Sequence, residues 1–436
     1  MRRLRILLYG GIASIVLGLG KVHAVAHRYD LTTSSRFVWT ISYIGLLAVA
    51  AYGLGFPELR GTRRGAALGA VQVSGLAVAG VSAVQILTGD ALLPRVVVFG
   101  SAVVVMPFLV MCARLAEDHV SAAHRGDRVL LVADEPDRSR IADELTTVPE
   151  RRAELVGVLA PDAASTLNGG CPVRDLARDR AATVVVLCRE AFADESVVAQ
   201  VSLLHETGVR IRTVPAFSEE WLGKVPMSEL ERTSLLFDVG ELHDNRYGPV
   251  KRLLDVALAL PGLVALAAAV PFVVVGNVIG GNRGPLLFRQ VRVGKGGTTF
   301  RMVKFRTMPP GSDTRWTSPE DARLGHFGRF LRRTHIDELP QVVNILRGEL
   351  SVVGPRPEQP AYVDELARKL PFYDVRHLVR PGLTGWAQVK YGYAGDERDA
   401  LEKLQYEFFY LRHQNVRLDL RIIGRTLRAI LGRSGR

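Results

Sequence analysis

Residues 332–358 read RRTHIDELPQVVNILRGELSVVGPRPE and place two adjacent carboxylates, Asp337 and Glu338, inside a strongly cationic frame. Two arginines precede the pair, and Arg347 and the turn around Arg356 follow it. A carboxylate can act as a nucleophile or hold a metal ion, whereas arginine binds phosphate through paired charged hydrogen bonds. Considered alone, Asp-Glu before a helix is typical of a cap, because acids are favoured at a helix start. The acids and arginines together instead indicate an anion site with carboxylate chemistry.

The totals favour a membrane protein. The 436-residue chain has 56 Lys and Arg against 44 Asp and Glu, a formal net charge of +12, which fits nucleic acid or an anionic membrane surface. Hydrophobic residues make up 48% of the chain and are clustered, which favours the membrane. The sequence has neither zinc-type cysteine spacing nor an aromatic and basic platform for bases, so we expect no nucleic acid partner. The three scattered cysteines fit free thiols in a reducing compartment.

Four apolar stretches open the chain and predict a bundle of four transmembrane helices within residues 1–115. They cover roughly residues 4–20, 37–56, 66–88 and 91–113, and the last three have the ~20 residues that a span needs. The first stretch has a basic start and is followed by Ala24-Val25-Ala26, which also fits a signal-peptide cleavage site. Three further stretches directly after it favour a span.

Positive charge predicts the orientation of these spans. Basic residues lie before the first stretch, between the second and third, and after the fourth: Arg2, Arg3, Arg5, Arg60, Arg63, Arg64, Arg114, Arg125 and Arg128. Loops rich in Lys and Arg stay in the cytoplasm. We therefore expect a multi-pass membrane protein with both ends of the bundle, and the part of the chain that follows it, in the cytoplasm. Lys21, Arg28 and Arg36 in the first outer loop make this bias modest.

A fifth apolar stretch, within residues 251–281, has basic residues on both sides, so both flanks should be cytoplasmic. Two prolines interrupt it, the second being Pro271, and proline inside a helix removes a hydrogen bond and kinks the chain. A re-entrant membrane helix that bends and returns meets both constraints; an ordinary fifth span is the alternative. Lys251, Arg252 and Asp255 would lie at the membrane interface, with Asp255 within reach of basic partners.

Residues 126–220 predict a separate α/β domain. Short apolar runs typical of buried strands begin near residues 128, 155, 183 and 209 and alternate with helix-like stretches, which predicts a parallel, doubly wound, Rossmann-like sheet. The first strand-to-helix turn, Ala133-Asp134-Glu135-Pro136-Asp137, has acids where a dinucleotide site has glycines, and these acids would repel a pyrophosphate. We expect a structural or regulatory role without nucleotide, followed by a linker over residues 221–247.

Residues 248–436 form the predicted α+β catalytic domain. A strand-turn-strand pair over residues 284–308 carries Lys304 and Arg306 on one face by the period-two rule. Such a face is often only solvated surface, but the acid pair and arginines that follow favour an anion site. Residues 323–334 alternate apolar and basic residues and predict an amphipathic helix on the membrane surface. A second such helix is predicted over residues 416–432, with ordinary core packing as an equal alternative.

From about residue 249 to 432 the chain resembles the bacterial sugar transferase family, the monotopic polyprenyl-phosphate phosphoglycosyl transferases. Four spans and a Rossmann-like unit resemble the N-terminal half of the family's large members. The resemblance rests on motifs in a fixed order, which include Lys251-Arg252-Leu253-Leu254-Asp255, Lys304-Phe305-Arg306-Thr307-Met308, Asp337-Glu338-Leu339-Pro340-Gln341, Gly354-Pro355-Arg356-Pro357-Glu358 and Arg380-Pro381-Gly382-Leu383-Thr384-Gly385.

The chain departs from the family pattern at two places. The family's membrane hairpin usually turns at Ser-Pro, whereas this chain has Ala267-Ala268 there and Pro271 three residues later, which moves the break. A serine is frequent two residues before the aspartate, and this chain has His335, to which we assign no role as a base.

The resemblance implies transfer of a sugar-1-phosphate from a UDP-sugar to polyprenyl phosphate, with release of UMP, as the first membrane step of exopolysaccharide or capsule synthesis. By position, Asp337 would attack the β-phosphorus and form a covalent phospho-sugar intermediate, and Glu338 would be associated with Mg²⁺, the expected cofactor. A carboxylate nucleophile splits the transfer into two steps at one site, and a divalent ion and basic residues offset the repulsion between anions. The candidate anion-binding residues are Lys304, Arg306, Arg332 and Arg356.

No residue decides between glucose, galactose and N-acetylated sugars, and UDP-glucose is a default expectation only. Membrane lipids are expected partners, and a homo-oligomer stays open. The alternative function is a non-catalytic membrane scaffold of a polysaccharide assembly complex, against which the intact acid pair and basic residues argue. A glycosyltransferase acting on soluble sugars would need a DxD metal motif, which is not evident, and would not need the membrane hairpin.

Overall fold

The computed structural model describes residues 2–32, 35–57, 63–88, 93–123, 126–147, 150–165, 170–226, 247–280, 284–308, 325–391 and 397–431. The chain divides into two compact units. The first comprises residues 1–119, 244–389 and 413–436, and the second comprises residues 120–243 and 390–412.

Four long apolar helices open the first unit: α1 (Arg2–Ala26), α2 (Ser35–Gly53), α3 (Arg63–Thr88) and α4 (Arg95–Ala123). Each contains a segment long and apolar enough to cross a membrane. The helices share a buried core that includes Leu8, Leu47 and Val105, and the hydroxyl of buried Tyr43 donates to the carbonyl of Val98 at 3.1 Å. Many of their other apolar side chains are exposed. Exposed apolar faces around a packed interior indicate a membrane region.

The second unit contains a four-stranded parallel sheet in the order β2-β1-β3-β4, which agrees with the alternating sequence pattern. Its central strand β3 is buried along its whole length, as expected for a parallel sheet covered on both faces. The strands are β1 (Asp127–Val132), β2 (Ala153–Leu159), β3 (Val184–Leu187) and β4 (Arg210–Thr213). The helices are α5 (Glu135–Thr147), α6 (Pro161–Ala164), α7 (Pro172–Asp179), α8 (Arg189–Ala193), α9 (Glu195–Glu206) and α10 (Val214–Phe217).

The core of this unit continues past residue 220, where the sequence placed the start of a linker. Trp221 is fully buried, stacks on Phe217 with ring centroids 4.9 Å apart, and donates from Nε1 to a carboxylate oxygen of Asp127 at 3.0 Å. Lys224 is also buried. Residues 221–226 therefore belong to the packed unit rather than to a linker, and residues 227–246 lie outside the described residues.

The C-terminal part contains two small sheets and seven further helices among the described residues. β5 (Leu287–Val293) and β6 (Thr299–Phe305) form an antiparallel hairpin, and β7 (Ser351–Val353) pairs in parallel with β8 (Gly382–Thr384). The helices are α11 (Tyr247–Ile279), α12 (His326–Arg333), α13 (Val342–Arg347), α14 (Pro360–Lys369), α15 (Trp386–Lys390), α16 (Glu397–His413) and α17 (Val416–Leu431). Two 3₁₀ segments, Ile336–Gln341 and Tyr373–Leu378, connect them.

Helix α11 is 33 residues long and is apolar enough to cross a membrane. Its helical structure continues through Pro261 and Pro271, so the chain does not leave the helix at Pro271 as a tight turn there would require. Pro271 itself is exposed. The path of this helix relative to a bilayer stays a prediction.

Helices α16 and α17 pack in different units. In the second unit, the backbone N–H of Val225 donates to the carbonyl of Gln405 on α16 at 3.1 Å, and Lys224 pairs with Glu402 on α16 at 2.9 Å. Within residues 248–436, which the sequence predicts to be one domain, residues 390–412 have their contacts mainly with the unit that contains the sheet. Helix α17 buries Leu418 and Ile422 and packs against α2, so core packing describes its buried face.

Candidate active site

The acid pair lies on the 3₁₀ segment Ile336–Gln341, directly after a sharp change of chain direction. His335 adopts a left-handed conformation with φ +58° between α12 and this segment. Ile336 and Leu339 pack on one side against the buried cluster formed by Val273, Phe305 and Leu331. Because these apolar neighbours are anchored, the position of Asp337 and Glu338 is set by packing rather than by a mobile loop.

The surroundings of Asp337 oppose the ionisation of its carboxyl group. Its exposed fraction is 8%, and burial, with the adjacent Glu338 charge, raises the pKa of Asp337 to about 6. Lys304, Arg332 and His335 act in the opposite direction without reversing the rise. A carboxylate whose pKa lies near neutrality is poorly solvated and is a stronger nucleophile once deprotonated.

The pKa of Glu338 is shifted in the opposite direction. Burial alone would raise the pKa of Glu338, but the ammonium of Lys304 and the guanidinium of Arg356 hold that pKa below its ordinary value. Lys304 Nζ donates to Glu338 Oε1 at 2.5 Å. Two neighbouring acids thus differ in proton affinity, and such a separation assigns them different chemical tasks.

A pocket opens beside Glu338 and is predominantly cationic. Its basic members come from three separate elements: Arg292 from β5, Lys304 from β6 and Arg356 from the turn after β7. Its lining residues are Arg292, Met302, Lys304, Glu338, Gln341, Arg356, Pro357, Gly382 and Leu383. The three basic side chains therefore favour an anion at this pocket, next to one acidic side chain.

Gln341 presents an unused donor to this pocket. Its exposed fraction is 2%, and its Nε2 has no hydrogen-bond partner among the described residues. Leaving a buried donor unpaired costs ~1–3 kcal/mol. An acceptor oxygen of a bound substrate would recover that free energy.

Two glycines bring the loop of Arg356 against β8. A Cβ on Gly382 would lie 2.1 Å from the backbone nitrogen of Gly354, so both positions require glycine for the close approach. The backbone N–H of Gly354 donates to the carbonyl of Thr384 at 2.9 Å, and Arg376 donates to the carbonyl of Arg356 at 2.9 Å. These contacts explain why the two glycine-containing motifs occur together and how they hold Arg356 at the pocket.

The hairpin that carries Lys304 is attached to α13 by one buried amide. Asn344 donates from Nδ2 to the carbonyl of Arg301 at 2.9 Å and accepts at Oδ1 from the N–H of Val303 at 3.2 Å. Because α13 directly follows the acid segment, this amide sets the position of Lys304 relative to Glu338.

Most of the predicted anion-binding residues meet here, but Arg306 does not. Lys304 and Arg356 line the pocket, and Arg332, whose Nε donates to Thr307 Oγ1 at 2.9 Å, acts electrostatically on Asp337. Strand β6 ends at Phe305, so the period-two rule does not extend to Arg306. The Arg306 guanidinium lies 5.5 Å from the centroid of the Phe288 ring and is not among the pocket-lining residues.

Two pocket residues with polar side chains, Arg292 and Gln341, had been missed, and each carries a signal in the sequence. Arg292 pairs across the hairpin with Phe300, two positions from the pair Gln290 and Met302, so it shares a face with Lys304. Gln341 follows Glu338 by three residues, which is one turn of a 3₁₀ helix. The hairpin register would have placed Arg292 beside Lys304. The 3₁₀ repeat would have placed Gln341 beside Glu338.

Three of the residues expected at the membrane interface connect the first turns of α11 to other C-terminal elements. Lys251 Nζ pairs with Asp419 at 2.7 Å, and Arg252 donates to the carbonyls of Ile345 and Leu346 at 2.5 and 2.6 Å, which caps the end of α13. Asp255 was expected to have basic partners. It instead accepts from the Ser351 hydroxyl at 2.8 Å and from the N–H of Val352 at 2.9 Å.

The acid pair fits a metal ion only in company with substrate. Across the described residues, no group of three or more His, Cys, Asp and Glu side chains could hold a metal. Mg²⁺, however, is commonly held by one or two carboxylates and by substrate phosphates. Glu338, with its lowered pKa and its position on the pocket wall, supplies such an oxygen donor.

Comparison with known proteins matches the C-terminal part of the chain. The bacterial sugar transferase model matches residues 246–433. A UDP-N-acetylgalactosamine-undecaprenyl-phosphate N-acetylgalactosaminephosphotransferase of Aeromonas hydrophila is 36% identical over 243 residues, which are 54% of this chain and 55% of that protein.

Two relatives carry another sugar in their names. UDP-glucose:undecaprenyl-phosphate glucose-1-phosphate transferases of Xanthomonas campestris pv. campestris and Caulobacter vibrioides are 38% identical over 222 residues and 39% identical over 186 residues. The matches cover 49% of this chain and 44% of the Xanthomonas protein, and 42% of this chain and 69% of the Caulobacter protein. The chain thus spans about half the length of the Aeromonas and Xanthomonas relatives and more than two thirds of the Caulobacter one.

Proposed function

Because the chain belongs to the bacterial sugar transferase family, we propose that it transfers a sugar-1-phosphate from a UDP-sugar to a polyprenyl phosphate and releases UMP. The supporting observation is the pair Asp337 and Glu338, whose pKa values diverge, beside a pocket with three basic side chains. A diphosphate matches the charge of these side chains, because its own negative charge is spread over several oxygens. The donors named for the relatives are UDP-glucose and UDP-N-acetylgalactosamine, and UDP-glucose stays our default.

The first step uses Asp337 as nucleophile. Its deprotonated oxygen forms a bond to the β-phosphorus of the UDP-sugar, the bond from that phosphorus to the bridging oxygen breaks, and UMP leaves with the electron pair. The sugar phosphate is then held on Asp337 as an acyl phosphate. Arg292, Lys304 and Arg356, which line the pocket, would stabilise charge on the leaving phosphate.

The second step transfers the sugar phosphate to the lipid. An oxygen of polyprenyl phosphate attacks the same phosphorus, the bond to Asp337 breaks, and the free carboxylate is restored. Two steps at one phosphorus allow each anionic substrate to use the cationic pocket in turn. When bound, Mg²⁺ would supply charge neutralisation at the phosphate oxygens, and Glu338 would hold it.

The length and contacts of α11 support a proposal for the location of the site. Arg252 and Gly276 are 24 residues apart (276 − 252), or ~36 Å along a straight helix, which exceeds the ~30 Å hydrocarbon core. The C-terminal elements contact α11 at both places, through backbone carbonyls of α13 that accept from Arg252 and through the ring of Phe327 at Gly276. A straight perpendicular span would draw these charged elements into the bilayer. We therefore propose that α11 re-enters the inner leaflet and that the acid pair lies at the cytoplasmic boundary.

The remaining parts of the chain have supporting roles in this proposal. Helices α1–α4 would form a transmembrane bundle in the bacterial inner membrane, and the four-stranded sheet would be a Rossmann-like unit without a nucleotide. The enzyme would supply the first lipid-linked sugar for an exopolysaccharide or capsule.

The experiment is UMP release by purified protein with polyprenyl phosphate and Mg²⁺ across a panel of UDP-sugars. We expect UMP release with one sugar class and none from Asp337→Asn. Incubation with labelled UDP-sugar but no lipid should leave label on the wild-type protein, at Asp337. Turnover undiminished in Asp337→Asn would remove Asp337 as the nucleophile, and no turnover with any donor would favour the non-catalytic scaffold.

A further inference from the structure

Three phenylalanine rings form a partly exposed cluster, which we call the aromatic patch: Phe272 on α11 and Phe327 and Phe330 on α12. Their ring centroids lie 5.8 to 6.3 Å apart. Phe272 is 49% exposed and Phe330 is 44% exposed. The patch is therefore an open apolar surface built from two helices, not a closed core.

The patch is built into the fold. The tip of the Phe327 ring lies against α11 at Gly276, where a Cβ would approach Phe327 Cζ to 2.1 Å. The absence of a side chain at Gly276 is what allows the ring to sit there. A solvent-exposed position on a helix would not need such a fit.

An apolar path connects the patch to the acid pair. Phe327, Ile336 and Leu339 all pack against one buried cluster, which is formed by Val273, Phe305 and Leu331. Ile336 precedes Asp337, and Leu339 follows Glu338. The two acids and the patch are thus joined by neighbouring side chains of one cluster.

Helix α12 also carries positive charge. Helix α12 carries Phe327 and Phe330, and its last turn carries Arg332 and Arg333. Arg332 acts on Asp337 electrostatically. An amphiphile with an apolar tail and an anionic head matches this order of apolar and cationic groups.

We propose that the aromatic patch binds the isoprenoid chain of the acceptor, close to its phosphate, and so directs that phosphate to Asp337. The inference rests on the proposed function and adds to it the surface that recognises the lipid tail. A bilayer anchor alone would not need to adjoin the acid pair. The exposed apolar side chains of Val278 and Ile279, at the C-terminal end of α11, could contact the bilayer equally well.

The test separates the two half-reactions. Exchange of labelled UMP into UDP-sugar needs no lipid and measures the first step, whereas transfer to polyprenyl phosphate at varied mole fraction in nanodiscs measures both. The variants are Phe272→Ala, Phe330→Ala and Gly276→Ala, the last of which displaces Phe327. Val278→Ala and Ile279→Ala, on the same helix and 76% and 81% exposed, are the matched controls.

We expect the patch variants to raise the KM for polyprenyl phosphate roughly five- to thirtyfold, as loss of an aromatic contact does. UMP exchange should fall much less, and the controls should keep the wild-type KM. Phe330→Leu, which preserves apolar volume, should recover most of the loss. Retained UMP exchange shows that each variant is folded.

An unchanged acceptor KM in the patch variants would overturn the proposal, and so would equal losses in the patch and control variants, which would mean general membrane contact only. A wild-type protein without UMP exchange would instead contradict the proposed function. In that case, binding of a fluorescent polyprenyl phosphate to the same variants tests the patch by itself, and equal affinity in all of them would reject it.

Discussion

Lys304 Nζ and Glu338 Oε1 are 2.5 Å apart, and this ion pair is the reason that two adjacent acids differ in proton affinity. Glu338 has a cation within contact and its pKa is lowered, whereas burial and the Glu338 charge raise that of Asp337. The sheet hairpin supplies the lysine, and the 3₁₀ segment supplies the acids. The proton affinity of the predicted nucleophile therefore depends on how these two elements pack.

The first prediction concerns the pH dependence of UMP exchange. Because burial raises the pKa of Asp337 to about 6, the nucleophile is protonated below that pH and ionised above it. The kcat/KM for UDP-sugar should rise with pH through an acidic limb near 6 and then level off. A rate independent of pH between about 4.5 and 7.5 would contradict the assignment of Asp337.

The second prediction is that Lys304→Met moves this limb to higher pH. In the wild-type protein the Lys304 ammonium stabilises the ionised forms of both carboxylates and so lowers their pKa values. The substitution removes this stabilisation. The pH profile of UMP exchange measures the shift, separately from any loss in rate. Arg306→Met is the matched control, because the Arg306 guanidinium lies over the Phe288 ring and does not line the pocket, so the limb should stay in place in this variant. Equal shifts in both variants would indicate a general loss of positive charge.

The hairpin shows what the sequence could and could not establish about this site. Strand alternation placed Lys304 on one face of the hairpin, and Lys304 lines the pocket; the register would have added Arg292 to that face. The same rule failed for Arg306, because it says nothing about where the strand ends. A strand end depends on the next element of the chain, and the local pattern does not contain that information.

Contacts between segments that are distant in the chain were also beyond what the sequence could predict. Asp255 was expected to lie within reach of basic partners, but its donors are Ser351 and Val352 on β7. Likewise, burial of Trp221 depends on its stacking with Phe217 and its hydrogen bond to Asp127 on the first strand. Local composition contains neither the partners of Asp255 nor the burial of Trp221, because both depend on tertiary packing.

The third prediction concerns stability. Asp337 binds a proton more tightly in the folded state than its ordinary pKa of 3.8 would allow, because the folded pKa is about 6. Its ionisation therefore costs folding free energy that is absent below about pH 4, grows between about 4 and 6, and is constant above, with an upper limit of ~3 kcal/mol. Asp337→Asn should raise Tm at pH 7.5 and leave it nearly unchanged at pH 4, as measured by intrinsic fluorescence in detergent. A Tm gain of equal size at both pH values would show another cause.

The fourth prediction uses the unpaired amide of Gln341. Gln341→Leu keeps the volume and removes a buried donor that has no partner among the described residues, so Tm should be unchanged or higher. The KM for UDP-sugar should rise about tenfold, or ~1.4 kcal/mol, if the amide donates to bound substrate. Gln388→Leu is the control, since Gln388 also has a buried unpaired side-chain oxygen but does not line the pocket. Similar KM values in the two variants would exclude Gln341 from substrate binding.

The fifth prediction concerns the contact of α17 with α2. A Cβ on Gly424 would lie 1.7 Å from the carbonyl oxygen of Gly53, so the two helices cross backbone to backbone. Alanine normally stabilises a helix relative to glycine by ~1 kcal/mol, and Gly75→Ala should follow that rule because its Cβ would meet nothing within 4 Å. Gly424→Ala should instead lower Tm, since the helices must separate to admit the methyl group. Because Asp419 on α17 also pairs with Lys251 at the base of α11, UMP exchange should fall with it. A Gly424→Ala protein as stable as Gly75→Ala would show that α17 does not dock on α2.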